Sequence, residues 1–488
     1  TLTVIDDAGN AIQKFHGLQL DIDNLDLFDK STYELLASGH TEGVFQLESA
    51  GMRSFMKELK PDAFEDIIAG ISLYRPGPME FIPAYLRGRQ NRDGIEYECP
   101  QLEPILKMTF GCMVYQEQVM QIVRDLAGFS MGRSDEVRRA MSKKKTTVME
   151  HERAAFVYGD PEHQVAGCIA NGISEKVANH IYDEMIDFGK YAFNKSHAAG
   201  YAVVAVQTAY VKCHYPLEFF AALMTSVLDN STKVSEYIQV CRSMNIELLP
   251  PDVNIGSGPF SVADGKIRYG MYSIKSVGRP VIDAIVEERE SDGSFVTLND
   301  FFERMNGRDV NKRNIENLIK AGALDSLEGN RRQKMQIYPV ILDDLNQRKK
   351  NTIVGQMNMF DTVDDSGKKL YEVKLPTIDE YEKSELLAFE KEVLGIYISG
   401  HPLEDDIALM KKNVTASSLD FMLQEEDDTQ TFAEDIARAQ ISDGANVVLG
   451  GLITEKTLHF TKNNQAMAFF TMEDLYGTVE MIAFPKTY

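Results

Sequence analysis

A multidomain, mainly α-helical fold with a small β module near its C-terminal end is what the sequence predicts, and three observations carry the prediction. At 488 residues the chain exceeds one core, and about 100–200 residues per domain suggests three or four modules. From Ser31 to about Met244 apolar residues recur at spacings of three and four, as in VMQIVRDLAGF and NHIYDEMIDF. From Asn446 the period shortens to that of strands.

The elements follow in order. Turn signals at RPGP, ECP and NGIS punctuate one large helical domain, and LPPDVN, residues 249–254, ends it with two prolines. GPFSVADGKIRYGMYSIKSVG then alternates around Asp264-Gly265 and enters a helix at Arg279-Pro280, a favoured place for proline. Two related phrases, YSIKSVGRPVIDAIVEER and NIENLIKAGALDSLEGN, each join a short glycine turn to helical sequence, a weak internal duplication. QKMQIYPVILDDLNQRKKN reads as a helix, a polar stretch holding QMNMF follows, and SELLAFEKEVLGIYISGHPLED comes next. The acidic run at 424–436 reads as a linker or solvated face. Strands with turns at KNNQ and LYG then open a small barrel whose edges are expected to be unpaired.

Charge has to be read by segment. A net charge of −23 excludes a surface that is basic throughout, yet local positive grooves decide nucleic-acid binding. The five cysteines show neither a CxxC pair nor zinc-finger spacing, which argues against a disulfide framework or zinc site and for a reducing cytoplasm. No apolar run approaches the roughly 20 residues of a membrane span, and no signal peptide is evident. The chain opens on Thr1 and stops at PKTY with an apolar pattern still running, so both ends are expected to be cut.

Within this acidic chain RSDEVRRAMSKKK, residues 133–145, holds six Lys/Arg against two acids. Its plain alternative is a solvated helix face with Asp135 paired to Arg138 and Arg139; its functional reading is a phosphate cradle. Arg75 leaves a stiff Pro-Gly-Pro turn in YRPGPM. Tyr115, Gln116 and Gln118 of YQEQVM open an amphipathic helix. In YAFNKSHAAGYA, residues 191–202, Lys195 and His197 suit phosphates and Asn194 and Ser196 suit sugar or backbone. The Ala-Ala-Gly run would admit a base or another chain, whereas a helix N-cap at Asn194 or Ser196 is the structural alternative. The turns SVGR and KAGAL offer backbone N–H groups to phosphates, or are simple helix connectors. QMNMF presents Met359 and Phe360 for docking or for folding back. Asp21 and Asp23 lack a singled-out third carboxylate, so no metal site and no catalytic residue is assigned.

GVFQLESAGM, YRPGPM, YQEQVM, VRRAMSKKK, FNKSHAAGYA, LLPPDVN and GQMNMF, in this order and spacing, closely resemble the C-terminal half of the bacterial DNA polymerase III alpha subunits of DnaE type, over nearly the whole chain. The resemblance implies a palm exit at 1–30, helical fingers at 31–250, tandem helix-hairpin-helix motifs at 251–335, a clamp-binding segment and linker at 336–440, and the first strands of an OB-fold β-barrel at 441–488. The order fits the DnaE type better than the Gram-positive alternative, and QMNMF fits a replicative form better than error-prone relatives. It further implies nucleotide and DNA contacts at Arg75, Arg138, Arg139, Lys143, Lys144, Asn194, Lys195, Ser196 and His197, with Arg138 and Arg139 as phosphate ligands. Helix-hairpin-helix DNA contacts fall on Lys275, Val277, Gly278 and Gly322, and clamp contacts on Gln356, Met359 and Phe360, with Met359 where leucine is usual.

The implied activity is template-directed addition of deoxynucleotides to a primer 3′ end, the implied partners being primer-template DNA, dNTP, the sliding clamp and other replisome subunits in the bacterial cytoplasm. The family's Mg2+ ligands lie in a palm ahead of these segments, so the chain by itself is expected to hold no cofactor and to perform no nucleotidyl transfer. The alternative is a non-catalytic DNA-binding and clamp-adaptor protein built on the same surfaces.

Overall fold

The structure is a computed structural model that describes residues 1–143, 146–189, 191–308, 310–354, 374–421, 441 and 444–488. Two compact units emerge, one on residues 21–214 and the other on residues 2–20, 215–421 and 444–488.

The first unit is helical around two cores. In one, helix Lys195–His214 packs on helix Phe64–Leu73. Ala198, Ala202, Ala205 and Ala209 of the former are all fully buried. Their spacing of three and four puts small side chains on one face, which lets the backbones approach closely. Gly70 of helix Phe64–Leu73 serves another contact, since a Cβ there would stand 2.9 Å from Met56 Cε of helix Ala50–Leu59. The other core gathers Val119, Ile122, Val123 and Leu126 of helix Gln116–Ala127 against Phe156, Ile181, Tyr182 and Phe188. That helix stops at Gly128, whose φ of 82° is the left-handed conformation glycine adopts without steric cost. Helix Met131–Ser142 follows, its Ser130 hydroxyl accepting from the Arg133 amide at 3.3 Å.

In the second unit helix Leu2–His16 packs on helix Pro216–Ser226, and His16 bonds Glu218 at 2.9 Å. Strands Ser261–Ala263 and Lys266–Arg268 form the expected hairpin around Asp264 and Gly265, both at positive φ, with Leu248–Leu249 parallel on the far side of Lys266–Arg268. Helices Arg279–Asp292, Leu298–Arg304, Lys312–Lys320, Arg331–Val354 and Lys383–Leu394 follow. Strands Leu452–Phe460, Ala466–Glu473 and Thr478–Ala483 make an antiparallel meander, turning at Asn464 and at Leu475–Gly477, where Asp474 Oδ1 accepts two amides. This mainly helical architecture ends in a sheet consistent with the start of an OB-fold. Ile453, Leu458, Phe460 and Ile482 of that sheet are exposed. All five cysteines are free thiols, and no helix among the described residues is long and apolar enough to cross a membrane.

The two duplicated phrases differ in structure. Gly278 precedes helix Arg279–Asp292 as its N-cap, in extended conformation, whereas Gly322 follows helix Lys312–Lys320 at φ 79°. One glycine starts a helix and the other ends one.

Candidate phosphate-binding site

The segment 191–197 is held on one side by the start of helix Gln116–Ala127. Tyr115 and Phe193 form a parallel bridge, the Gln116 amide donates to Phe193 O at 2.8 Å, and Gln116 Nε2 donates to Ala192 O at 2.9 Å. Gln118 turns inward instead: its Oε1 accepts from the Val114 and Tyr115 amides at 2.8 and 2.9 Å, capping its own helix from a buried position. Glu117 accepts at Oε1 from Asn194 Nδ2 at 3.0 Å and from the Lys195 amide at 3.1 Å. Its carboxylate therefore sits on the N-terminus of helix Lys195–His214, where the helix dipole favours negative charge. Nothing in the spacing of the sequence pointed to Glu117, because its partner lies 78 residues away.

Asn194 is the N-cap: its Oδ1 accepts from the His197 amide at 2.8 Å while its Nδ2 is held by Glu117. Both ends of that amide are occupied within the protein. Lys195 is half-buried, its Nζ 5.3 Å from the Tyr115 ring centre and 3.4 Å from Met108 Sδ. Ser196 is exposed, and so is the His197 imidazole, which lies between the Phe193 and Tyr201 rings at centroid distances of 5.5 and 4.4 Å. Of the small residues, Ala198 is buried in the protein's own core, so Gly200, with no atom within 4 Å of a Cβ placed there, is the open position.

Arg75 reaches the same segment from the Pro-Gly-Pro turn. Its guanidinium lies 3.9 Å from the Phe193 ring centre, and Nη2 donates to Tyr191 O at 3.1 Å. Burial pulls it below the ordinary arginine value, which leaves it charged at neutral pH. Gly77 sits under the Tyr191 ring, at φ 98°.

Arg138 arrives from helix Met131–Ser142, its Nη1 donating to Gln116 Oε1 at 3.1 Å. Gln116 thereby ties Arg138 to Ala192 and Phe193. Arg139 is on the same helix and is 65 % exposed, paired through Nε with Asp135 at 2.7 Å. Lys143 is exposed at the helix end, and Lys144 lies outside the described residues. Arg133, though part of the same basic run, is structural: it bonds Glu152 and Asp160 at 2.8 Å each. The structure thus brings Arg75, Arg138, Lys195 and His197 around one short extended segment.

In the second unit Lys275 is exposed at the turn, while the Val277 side chain is buried and its amide is donated to Ile274 O at 3.2 Å. Asn314 and Asn317 of helix Lys312–Lys320 grip the carbonyls of Ser276 and Lys275 at 2.8 and 2.5 Å. Gly278 is exposed, and a Cβ there would make an ordinary contact with Pro280 Cδ at 3.6 Å. Gly322 is different: its amide goes to Ile319 O at 3.0 Å, and a Cβ there would stand 2.2 Å from Arg331 Nη2. It is a packing position against the Arg331–Asp325 ion pair. Gln356, Met359 and Phe360 lie outside the described residues.

The acids near the start of the chain do not fit a two-metal site. Asp21 and Asp23 are exposed on a turn where Asp21 Oδ2 accepts from Asn24 Nδ2 at 2.8 Å. The one convergent ligand group among the described residues, Glu98, His180 and Glu184, is exposed, and His180 is already paired with Glu98.

Residues 1–164 match the bacterial DNA polymerase III alpha subunit finger domain, and residues 245–334 match a helix-hairpin-helix motif. The whole chain is similar to the DNA polymerase III subunit alpha of Thermus aquaticus, 39% identical over 496 residues and 38% of that protein's length. It is likewise similar to those of Borreliella burgdorferi, 37% identical with 40% of the relative covered, and Bacillus subtilis, 38% identical with 41% covered. The class so defined is a multidomain, mainly helical chain in which polymerase fingers precede a helix-hairpin-helix region. The chain belongs to the family of bacterial DNA polymerase III alpha subunits, and it spans about two fifths of the length of the curated relatives it matches.

Proposed function

We propose that this chain supplies the nucleotide-facing fingers, the duplex-gripping helix-hairpin-helix region and the clamp tether of a replicative DNA-directed DNA polymerase. The intact enzyme adds deoxynucleotides to a primer 3′ end within the DNA polymerase III holoenzyme, in the bacterial cytoplasm. The observation that carries the reading is the cluster of Arg75, Arg138, Lys195 and His197 on the 191–197 segment of a chain whose net charge is −23. The guanidinium forks of Arg75 and Arg138 and the Lys195 ammonium suit the phosphates of an incoming dNTP and of primer-template DNA.

In this reading the fingers extend over 31–250, the tandem helix-hairpin-helix region over 251–335, the clamp segment and linker over 336–440 and the OB-like strands from 441. Lys275, Val277, Gly278 and Gly322 mark the duplex side, the latter three as shapers of the turns. Gln356, Met359 and Phe360 dock on the sliding clamp. Mg2+ in the intact enzyme would serve as the Lewis acid for phosphoryl transfer, with ligands other than Asp21 and Asp23.

The test is binding of dNTP and primer-template DNA to the purified chain and to Arg138→Ala/Arg139→Ala. A loss of tenfold or more of nucleotide affinity is expected, since each charge-assisted contact removed is worth about 1.5–3 kcal/mol. Unchanged nucleotide affinity would refute the assignment. Clamp binding is read beside a Gln356→Ala/Phe360→Ala variant, which should abolish it.

A further inference from the structure

Asp135 stands under both arginines on which the phosphate reading rests. Its Oδ1 accepts from Arg138 Nε and Nη2 at 2.9 and 2.7 Å, and its Oδ2 accepts from Arg139 Nε at 2.7 Å. The spacing of three and four along helix Met131–Ser142 places one carboxylate beneath two guanidiniums. Two anionic oxygens shared between two cationic forks is also how a phosphate's unesterified oxygens would be held. The hydrogen bonds from Arg138, and then the charges of Arg138 and Arg139, hold the Asp135 carboxyl below its ordinary value, so it is ionised at neutral pH. Asp135 is 29 % and Arg138 20 % exposed, so that pair is partly buried, while Arg139 at 65 % stands in water, where such contacts exchange readily.

We propose that Asp135 is an internal phosphate surrogate that competes with phosphate-bearing ligands for Arg138 and Arg139. The carboxylate holds Arg138 and Arg139 in the resting protein and yields them to a ligand that offers more charge than it does. A phosphate group that takes both guanidiniums displaces the carboxylate, a cost common to every such anion. The tail of a nucleoside triphosphate spreads several negative charges over three groups and can engage both guanidiniums at once. Gln116 keeps the geometry through the exchange, since it binds Arg138 through Nη1, a nitrogen that Asp135 does not use. The inference rests on the reading of Arg138 and Arg139 as phosphate ligands given above. A purely helix-stabilising Asp135 would instead leave anion affinity unchanged or weaker when removed.

The experiment is calorimetric titration of the full 488-residue chain with inorganic phosphate and with tripolyphosphate, in magnesium-free buffer. Wild type is compared with Asp135→Asn, Asp135→Ser, Asp135→Glu and Arg138→Ala/Arg139→Ala. Removing the carboxylate should tighten inorganic phosphate by roughly two- to fivefold, the range expected for losing one partly exposed competing ion. Tripolyphosphate should tighten at least as much, because the carboxylate opposes every anion that takes both arginines and repels the more highly charged one more strongly, and Asp135→Glu should restore the wild-type affinities. Asp135→Ser gives a second reading should the asparagine variant lose helix by circular dichroism. Unchanged or weaker binding of both anions in the neutral variants would overturn the proposal while leaving the phosphate site standing, provided the double arginine variant loses tripolyphosphate. Retained tripolyphosphate binding in the double arginine variant would overturn both.

Discussion

Arg75 shows how a single side chain is aimed. The prolines at 76 and 78 stiffen the turn it leaves, and Gly77 at φ 98° lets the chain pass beneath the Tyr191 ring. A Cβ at 77 would lie 2.4 Å from that ring, so Gly77→Ala forces the ring aside and strains the backbone. We expect it to destabilise the helical unit by roughly 2 kcal/mol or more, measured as the midpoint of thermal unfolding. Arg75→Lys keeps the charge but loses the flat stack on Phe193 and the fork to Ser72 O and Tyr191 O. Its expected cost is about 1–2 kcal/mol, with nucleotide affinity falling in step because the 191–197 segment loses a tether. Equal stability of wild type and Arg75→Lys would show that the guanidinium geometry is incidental.

At the scale of elements, the two helix N-termini in the first unit make the sharpest predictions. Asn194→Ala removes the cap of helix Lys195–His214 and frees Glu117 Oε1 of one donor, for an expected loss of about 1 kcal/mol. Hydrogen exchange confined to the first turn of that helix checks it. Helix Phe64–Leu73 begins over Asp66, a buried carboxylate that accepts from the Asp62 and Ala63 amides and from Arg89 Nε and Nη2. Burial alone would raise its pKa, but the Arg89 hydrogen bonds, the Asp62 amide and the Arg89 charge outweigh it, and the folded value lies below the ordinary 3.8. A carboxyl depressed in the fold contributes stability that is complete above its unfolded value near 4 and is lost as pH falls through the folded value. The acid limb of unfolding below about pH 4 should therefore flatten in Asp66→Asn, which at pH 7 should cost about 1.5–3 kcal/mol through the lost charge-assisted bonds, Arg89 keeping Asp62 Oδ1 at 2.9 Å and Lys60 O at 3.1 Å. A parallel acid limb in the variant would sink this account. These elements were legible to different degrees. The periods of 119–126, the Asp264-Gly265 hairpin and the strands after 446 are local patterns, and they form where the sequence puts them. The Asn194 cap was legible as one of two alternatives. Glu117 and Gln116 as tethers of 192–195 were not, because pairing between residues more than 70 apart leaves no periodic trace. Gly278 and Gly322 look alike in sequence and differ in the fold because one begins a helix and the other packs under Arg331.

For the molecule as a whole, charge sets the terms on which DNA is met. A net −23 repels a polyanion at long range, while in the proposed reading Lys275 and the arginines would act at contact. The two terms respond to salt in opposite directions. Contacts release counterions, so log affinity for duplex primer-template should fall linearly with log salt, with Lys275→Ala reducing the slope by about 0.9 if that lysine meets one phosphate. The repulsion, by contrast, is screened as salt rises. With a Debye length of about 30 Å at 0.01 M and 10 Å at 0.1 M, it reaches across the molecule only at the low end. The binding plot for the chain should therefore flatten below roughly 0.05 M salt, and its association rate should rise rather than fall over the same interval. Fluorescence anisotropy and stopped-flow mixing across that range measure both. A straight line down to 0.01 M, with a rate that climbs as salt is withdrawn, would mean that the basic faces govern the field well beyond their own contacts. The overall charge would then have no part in the encounter.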